Sequence, residues 1–179
     1  MGDESTDTAA ARLRHLNTYF REHPVTGPTQ GHAPTVNLGA PLSLATLDHI
    51  RASVAEVVET TLDANPGAGP APSRADAVYD WCREHTRHAD ETVRLRVQII
   101  EFRQSLEHAI RAGDTKVVRP LRCPKCRTFG LMWSREQQAA LCTNTECVDR
   151  DGFSSTFTLA HLAHHHVTSR KSVRKACAT

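Results

Sequence analysis

Three observations predict an α+β fold. Apolar residues recur at intervals of three and four along most of residues 1–113, in runs separated by Gly- and Pro-rich breaks. Beyond Gly113 the pattern shortens to β-like pieces at 117–121, 129–133, 139–142 and 154–157. Four cysteines fall in this second part, as two short pairs in the runs CPKC and CTNTEC. The expected architecture is a small helical bundle over 1–113, a β-rich cysteine module with a short helix over 114–167, and a basic tail over 168–179.

The first helix is expected at 7–23, where Leu13, Leu16 and Phe20 fall on one face and Pro24 ends the run. Residues 24–42, rich in Gly, Pro and Thr, read as an extended arm long enough to lie across a partner. A second helix at about 43–62 is marked by Leu44, Leu47, Ile50, Val54, Val57, Val58 and Leu62, and the Pro/Gly linker 64–72 follows. Ser73 with Asp76 makes a capping-box pattern for a third, long helix that runs to Gly113 and packs antiparallel on the second. Its stripe is weak between Trp81 and Leu95, where Cys82, His85, Ala89 and Thr92 stand. That weakness predicts a bend, or a surface covered by something other than apolar core. The stretch TFTLAHLAHHHV should form the terminal helix, with Thr156 or Thr158 as its cap, and SRKSVRKACAT a tail disordered when alone.

A chain of 179 residues suits one ordinary domain, or a helical domain with a small metal-stabilised appendage. Hydrophobic content of 39% with 23% charged residues is globular, and no apolar run approaches the roughly 20 residues that cross a bilayer. The acidic start MGDESTDTAAARLRHL does not read as a secretory signal. Gly2 and Thr6 superficially match a myristoylation start, but no second membrane signal accompanies them, so lipidation is not expected. A reducing compartment follows as the default, and Cys pairs there are more often metal ligands than disulfides.

The cysteine spacing is C-x2-C-x15-C-x4-C, from Cys123 and Cys126 to Cys142 and Cys147. Zn²⁺ takes a tetrahedral shell of thiolates, and two short pairs on hairpin tips supply all four. One structural zinc per chain is expected, held in a zinc ribbon. No coordination position would be left for water or substrate, which argues for a binding or scaffolding module, not an enzyme. The spacing departs from the usual ribbon in Arg127, where a glycine is commoner, and in the four residues inside the second pair. Two disulfides or four unrelated buried thiols are the rival readings. Cys82 and Cys177 stand apart from the cluster.

Residues 1–122 carry 14 Lys+Arg against 16 Asp+Glu, and residues 123–179 carry 8 against 4, so the basic surplus sits with the cysteines. Candidate phosphate contacts are Arg127, Arg135 and Arg150 in the ribbon and Arg170, Lys171, Arg174 and Lys175 in the tail. Phe129 and Trp133 beside Arg127 and Arg135 suit the stacking of single-stranded bases, although so small a module is expected to spend them on its own core. His161, His164, His165 and His166 crowd one helical turn, and Cys82, His85 and His88 share another face. A solvated face and a partly buried polar stripe are the expected roles, with a further metal the alternative. No nucleophile elbow, P-loop, dinucleotide fingerprint or zincin helix occurs.

The run PTVNLGAPLSLATLDHI, the linker, the long helix, and then RCPKC, CTNTECVDRDG and FTLAHLA together resemble zinc-ribbon proteins of unknown function encoded by actinobacterial phages and prophages. The 18 Arg against 4 Lys agree with a GC-rich source. The resemblance implies a small accessory protein and brings no catalytic residue with it. Two roles follow. One is a DNA- or RNA-binding or regulatory adaptor in the host cytoplasm, whose helices bind a protein. The other is a capsid or tail component of the virion, assembling through the arm and helices, possibilities between which the charge split favours the first. No membrane partner is expected.

Overall fold

The computed structural model describes residues 8–22 and 44–176, and the expected arm at 24–42 lies outside them. In chain order these residues form α1 (Ala9–Glu22), α2 (Leu44–Ala64), α3 (Val78–Thr86), α4 (Glu91–Arg111), β1 (Met132–Ser134), β2 (Ala139–Leu141), β3 (Thr156–Phe157) and α5 (Leu159–Ala176). The fold is α+β, with five helices and one antiparallel sheet of order β1-β2-β3 among the described residues.

The long third helix is two helices. Thr86 turns its hydroxyl back onto the Cys82 carbonyl (2.7 Å), Ala89 N–H bonds the Thr86 carbonyl (3.1 Å), and Asp90 then caps α4 by accepting from Val93 N–H at 2.9 Å. Aspartate favours an N-cap over a helix interior, and that preference breaks the run where the apolar stripe thins. The linker is equally ordered. Asn65 accepts from Gly67 N–H (3.2 Å) and donates to the His85 carbonyl (3.2 Å), so it fastens the end of α2 to α3.

The piece at 117–121 is not a strand. Thr115–Val118 forms a 3₁₀ turn, because Asp114 accepts from Lys116 N–H at 3.0 Å and closes the chain on itself; Val117 and Val118 are still buried. At the other end α5 continues to Ala176, so the basic stretch expected to be a loose tail is helical up to that residue.

Two apolar clusters make the core. One joins α1, α2, α3 and the first half of α4 through Ala9, Leu13, Val57, Val78, Cys82 and Val97. The other takes Leu106 and Ala109 from the second half of α4, crosses Gly113, and continues through Val118, Leu131, Phe157 and Leu162 to the cysteines. The cysteine module therefore has no core of its own: it shares one with α4 and α5.

A buried polar chain runs through the helices. Gln104 donates to the Ser53 carbonyl (3.1 Å) and to Glu56 (2.8 Å), which fixes its other atom as the acceptor for the Tyr79 hydroxyl at 2.7 Å. Tyr79 oxygen then accepts from His108 Nε2–H (2.9 Å), and neutral His108 is left to accept at Nδ1 from His49 Nε2–H (3.0 Å). Gln104 and His108 are fully buried. Each donor in this chain has one acceptor, and the tautomers follow without choice.

Candidate metal centre

The four expected ligands meet. Their sulfur atoms all lie within 4.8 Å of one another, with 3.8 Å between Cys123 and Cys147 and 3.6 Å between Cys126 and Cys142. A tetrahedral zinc with Zn–S bonds of about 2.3 Å sets its sulfurs about 3.8 Å apart. Disulfide sulfurs would sit at roughly 2 Å, so the pairs are not bridged. Among the described residues this is the sole cluster of three or more metal-ligating side chains.

Local backbone chemistry brings them there. Cys123 and Cys126 sit in a knuckle closed by Cys123 N–H to the Thr128 carbonyl (2.9 Å) and Arg127 N–H to the Cys123 carbonyl (2.9 Å), while Cys126 N–H points at Cys123 Sγ (3.5 Å). Arg127 holds the left-handed conformation, φ +63°, that a glycine more often fills. The departure from the usual ribbon is thus met in the backbone itself. On the second tip, Asn144 accepts from Glu146 N–H (3.1 Å) and its carbonyl accepts from Cys147 N–H (2.9 Å), an Asx turn that absorbs the extra residues. Cys142 N–H to the Ser155 carbonyl (3.0 Å) and Ser155 N–H to the Cys147 carbonyl (2.9 Å) bind that tip to the start of β3. Lys125 donates to the Val148 carbonyl and clasps the two tips together.

Gly130 closes the approach. It sits at φ +101°, and a Cβ there would stand 2.9 Å from Thr143 Oγ1, which itself donates to the Gly130 carbonyl at 2.7 Å. Gly130→Ala is expected to cost about 1–2 kcal/mol of stability and to weaken metal retention, measured by thermal unfolding and by competition with a chromogenic chelator.

The donor set fits a divalent cation. Burial pushes the Cys123 thiol up and takes Cys142 to about 12, whereas the hydroxyl and N–H of Thr128 pull Cys126 down to about 6. Two buried sulfurs that resist ionising, packed against two others, need a cation to become thiolates together. Four protein sulfurs leave no fifth partner to be activated, so the arrangement can hold a fold and carries no evident reaction.

The other predicted residues are placed differently. Arg127, Arg135, Arg150 and Arg170 are exposed; Lys171, Arg174 and Lys175 lie on α5. Phe129 was expected in the core and is instead 55% exposed, because Leu131, Phe157 and Leu162 fill that space. Trp133 does pack against this core. Arg122 lays its guanidinium over the Phe129 ring at 4.2 Å and donates to the Arg127 carbonyl at 3.1 Å, a role the sequence reading missed. The histidines of α5 form no metal-ligating group among the described residues: His166 stacks flat on Phe102 at 4.3 Å, and His161 meets the Phe157 ring edge-on. Cys82 is buried and His85 leans on Trp81, while His88 is exposed. No helix among the described residues is long and apolar enough to cross a membrane. In comparisons with protein-family models, curated proteins and solved structures, nothing matches this chain.

Proposed function

We propose that this protein is a zinc-binding, non-enzymatic adaptor that holds single-stranded nucleic acid on the knuckle of its cysteine module. One observation carries this reading. Residues 115–135 contain Lys116, Arg119, Arg122, Lys125, Arg127 and Arg135 and no carboxylate, and all six cations are exposed. Within the same stretch Phe129 presents its ring to solvent with a guanidinium already over one face. An aromatic platform set among cations is what base stacking and phosphate neutralisation need together. The cation–π contact and the hydrogen bond to Arg127 hold Arg122 in place, which lowers the ordering cost of binding.

Fluorescence anisotropy with labelled single-stranded oligonucleotides tests the proposal. If all six cations contact phosphate, log affinity is expected to fall with log salt at a slope of about −4. Phe129→Ala should cost about 1–3 kcal/mol at constant salt, and Arg122→Ala should weaken binding and flatten the slope by about one contact. Binding that is absent at low salt, with stable homo-oligomers present, would overturn the adaptor in favour of an assembly role.

A further inference from the structure

We propose that the cleft of about 740 Å³ between α2, α4, the β1–β2 turn and the start of α5 is a binding site for a small phosphate ester, gripped by Arg111 and Arg135 beside His49. A cleft of that size suits a ligand of nucleotide dimensions. Its lining holds three guanidiniums and one carboxylate, those of Arg103, Arg111, Arg135 and Glu107. Arg103 is already committed to Glu56 and Glu107. The Arg111 and Arg135 side chains make no ion pair among the described residues, which leaves two planar forks of donors without an anion. Such forks match phosphate oxygens in pairs.

The backbone adds to the same field. Leu159 and Ala160 line the cleft at the start of the 18-residue α5, ahead of the first intrahelical bond, from Leu162 N–H to the Thr158 carbonyl at 3.0 Å. No acidic side chain occupies that first turn, and Thr158 caps it by accepting from His161 N–H at 3.2 Å, so the helix end adds its dipole to the field while its first N–H groups are partly satisfied.

His49 is the chemically distinctive part of the wall. Hydrogen-bond accounting through Gln104, Tyr79 and His108 commits its Nε2–H to His108, and its Nδ1 has no partner among the described residues. Burial next to Arg111 and Arg103 brings its pKa down to about 4, so the ring is neutral at pH 7 and offers a lone pair. A phosphate monoanion carries one P–OH, which can donate a hydrogen bond to that lone pair and keep its proton while the guanidiniums take the remaining oxygens. Phe20 and Trp133 supply flat apolar walls for the organic part of the ester.

The two tryptophans make the test direct, since Trp133 lines the cleft and Trp81 does not. The full-length Trp81→Phe protein would be titrated with inorganic phosphate and with a nucleoside 5′-monophosphate, followed by Trp133 fluorescence and by calorimetry. Saturable binding at millimolar concentration or below is expected, tighter for the ester. Arg111→Gln and Arg135→Gln should each weaken it about tenfold. Arg94→Gln, distant on α4, should leave it unchanged. No saturable signal with millimolar phosphate in the folded protein, or wild-type binding in Arg111→Gln, would overturn the site. Equal affinity for ester and inorganic phosphate would overturn its assignment to an ester. Arg111 lies outside the knuckle stretch, so loss of phosphate binding in Arg111→Gln with intact oligonucleotide binding separates this site from the proposed adaptor surface.

Discussion

Chelation of the metal, or Cys123→Ser, is expected to abolish the fold of residues beyond about 118 and to loosen α4 and α5 with them. Structural zinc supplies about 10–16 kcal/mol to small modules of this kind, more than the whole stability of most domains. The sheet cannot replace it, because its strands have three, three and two residues. The damage should spread, since Leu106, Ala109 and Leu162 lose the partners that Cys123, Cys142 and Cys147 position. The cluster of Ala9, Leu13, Val57, Val78 and Val97 lies on the other side of α4 and should keep its amide protection. Native mass spectrometry should find one zinc per chain, and hydrogen exchange should show protection lost from residue 106 onward after Cys123→Ser. A reductant without chelator should change nothing. Full exchange protection of β1–β3 in the mutant would sink the expectation.

His108→Ala should be the most damaging single change in the helical half, at about 3–5 kcal/mol. It opens a cavity at a fully buried position and removes the partners of both Tyr79 and His49. The same chain predicts acid sensitivity. Burial, with His49, Arg111, Arg103 and Arg12 nearby, lowers His108 from 6.5 to about 3, and His49 is lowered to about 4. Between those values and 6.5 the unfolded chain binds protons that the folded chain refuses. Stability from these groups is therefore complete above pH 6.5 and drains away as pH falls towards 3, on the order of 4 kcal/mol for His108 alone. A proton on His108 Nδ1 would also face His49 Nε2–H, donor against donor. Glu101 and Glu107 work in the opposite sense, because burial raises both and protonation relieves them. Urea unfolding at pH 7 and pH 4.5 should show a loss that His108→Leu reduces; an equal loss in both proteins would contradict the assignment.

Much of the metal centre was legible in the sequence because its signal is local. Two short Cys pairs announce their geometry by spacing, and the sulfurs lie where that spacing puts them. Helices α1 and α2 were legible as helices from their apolar periods, but the buried positions of α2 are Thr46, Ser53, Val57, Thr60 and Thr61, and Leu44 and Leu62 of the expected stripe are exposed. The break before α4 appeared only as a thin stripe, and Asp90 was the residue that decided it. Val117 and Val118 carry β propensity, yet the Asp114 side chain claims the next turn and the valines are buried from a 3₁₀ turn. Phe129 misled because apolar residues in a small module usually go inside. The chain from His49 to Gln104 had no sequence signal at all: its members sit on three helices, 25 to 59 residues apart, and only packing unites them.

The margins of the sheet have a further consequence. Its outer strands, β1 and β3, are three and two residues long, and β3 hands the chain directly to a helix. Stubs of this length offer a passing polypeptide only one or two ladder bonds, too few to template stacking into fibrils or to accept a guest peptide by strand addition. Whatever this half of the molecule recognises, it does not read by extending its sheet.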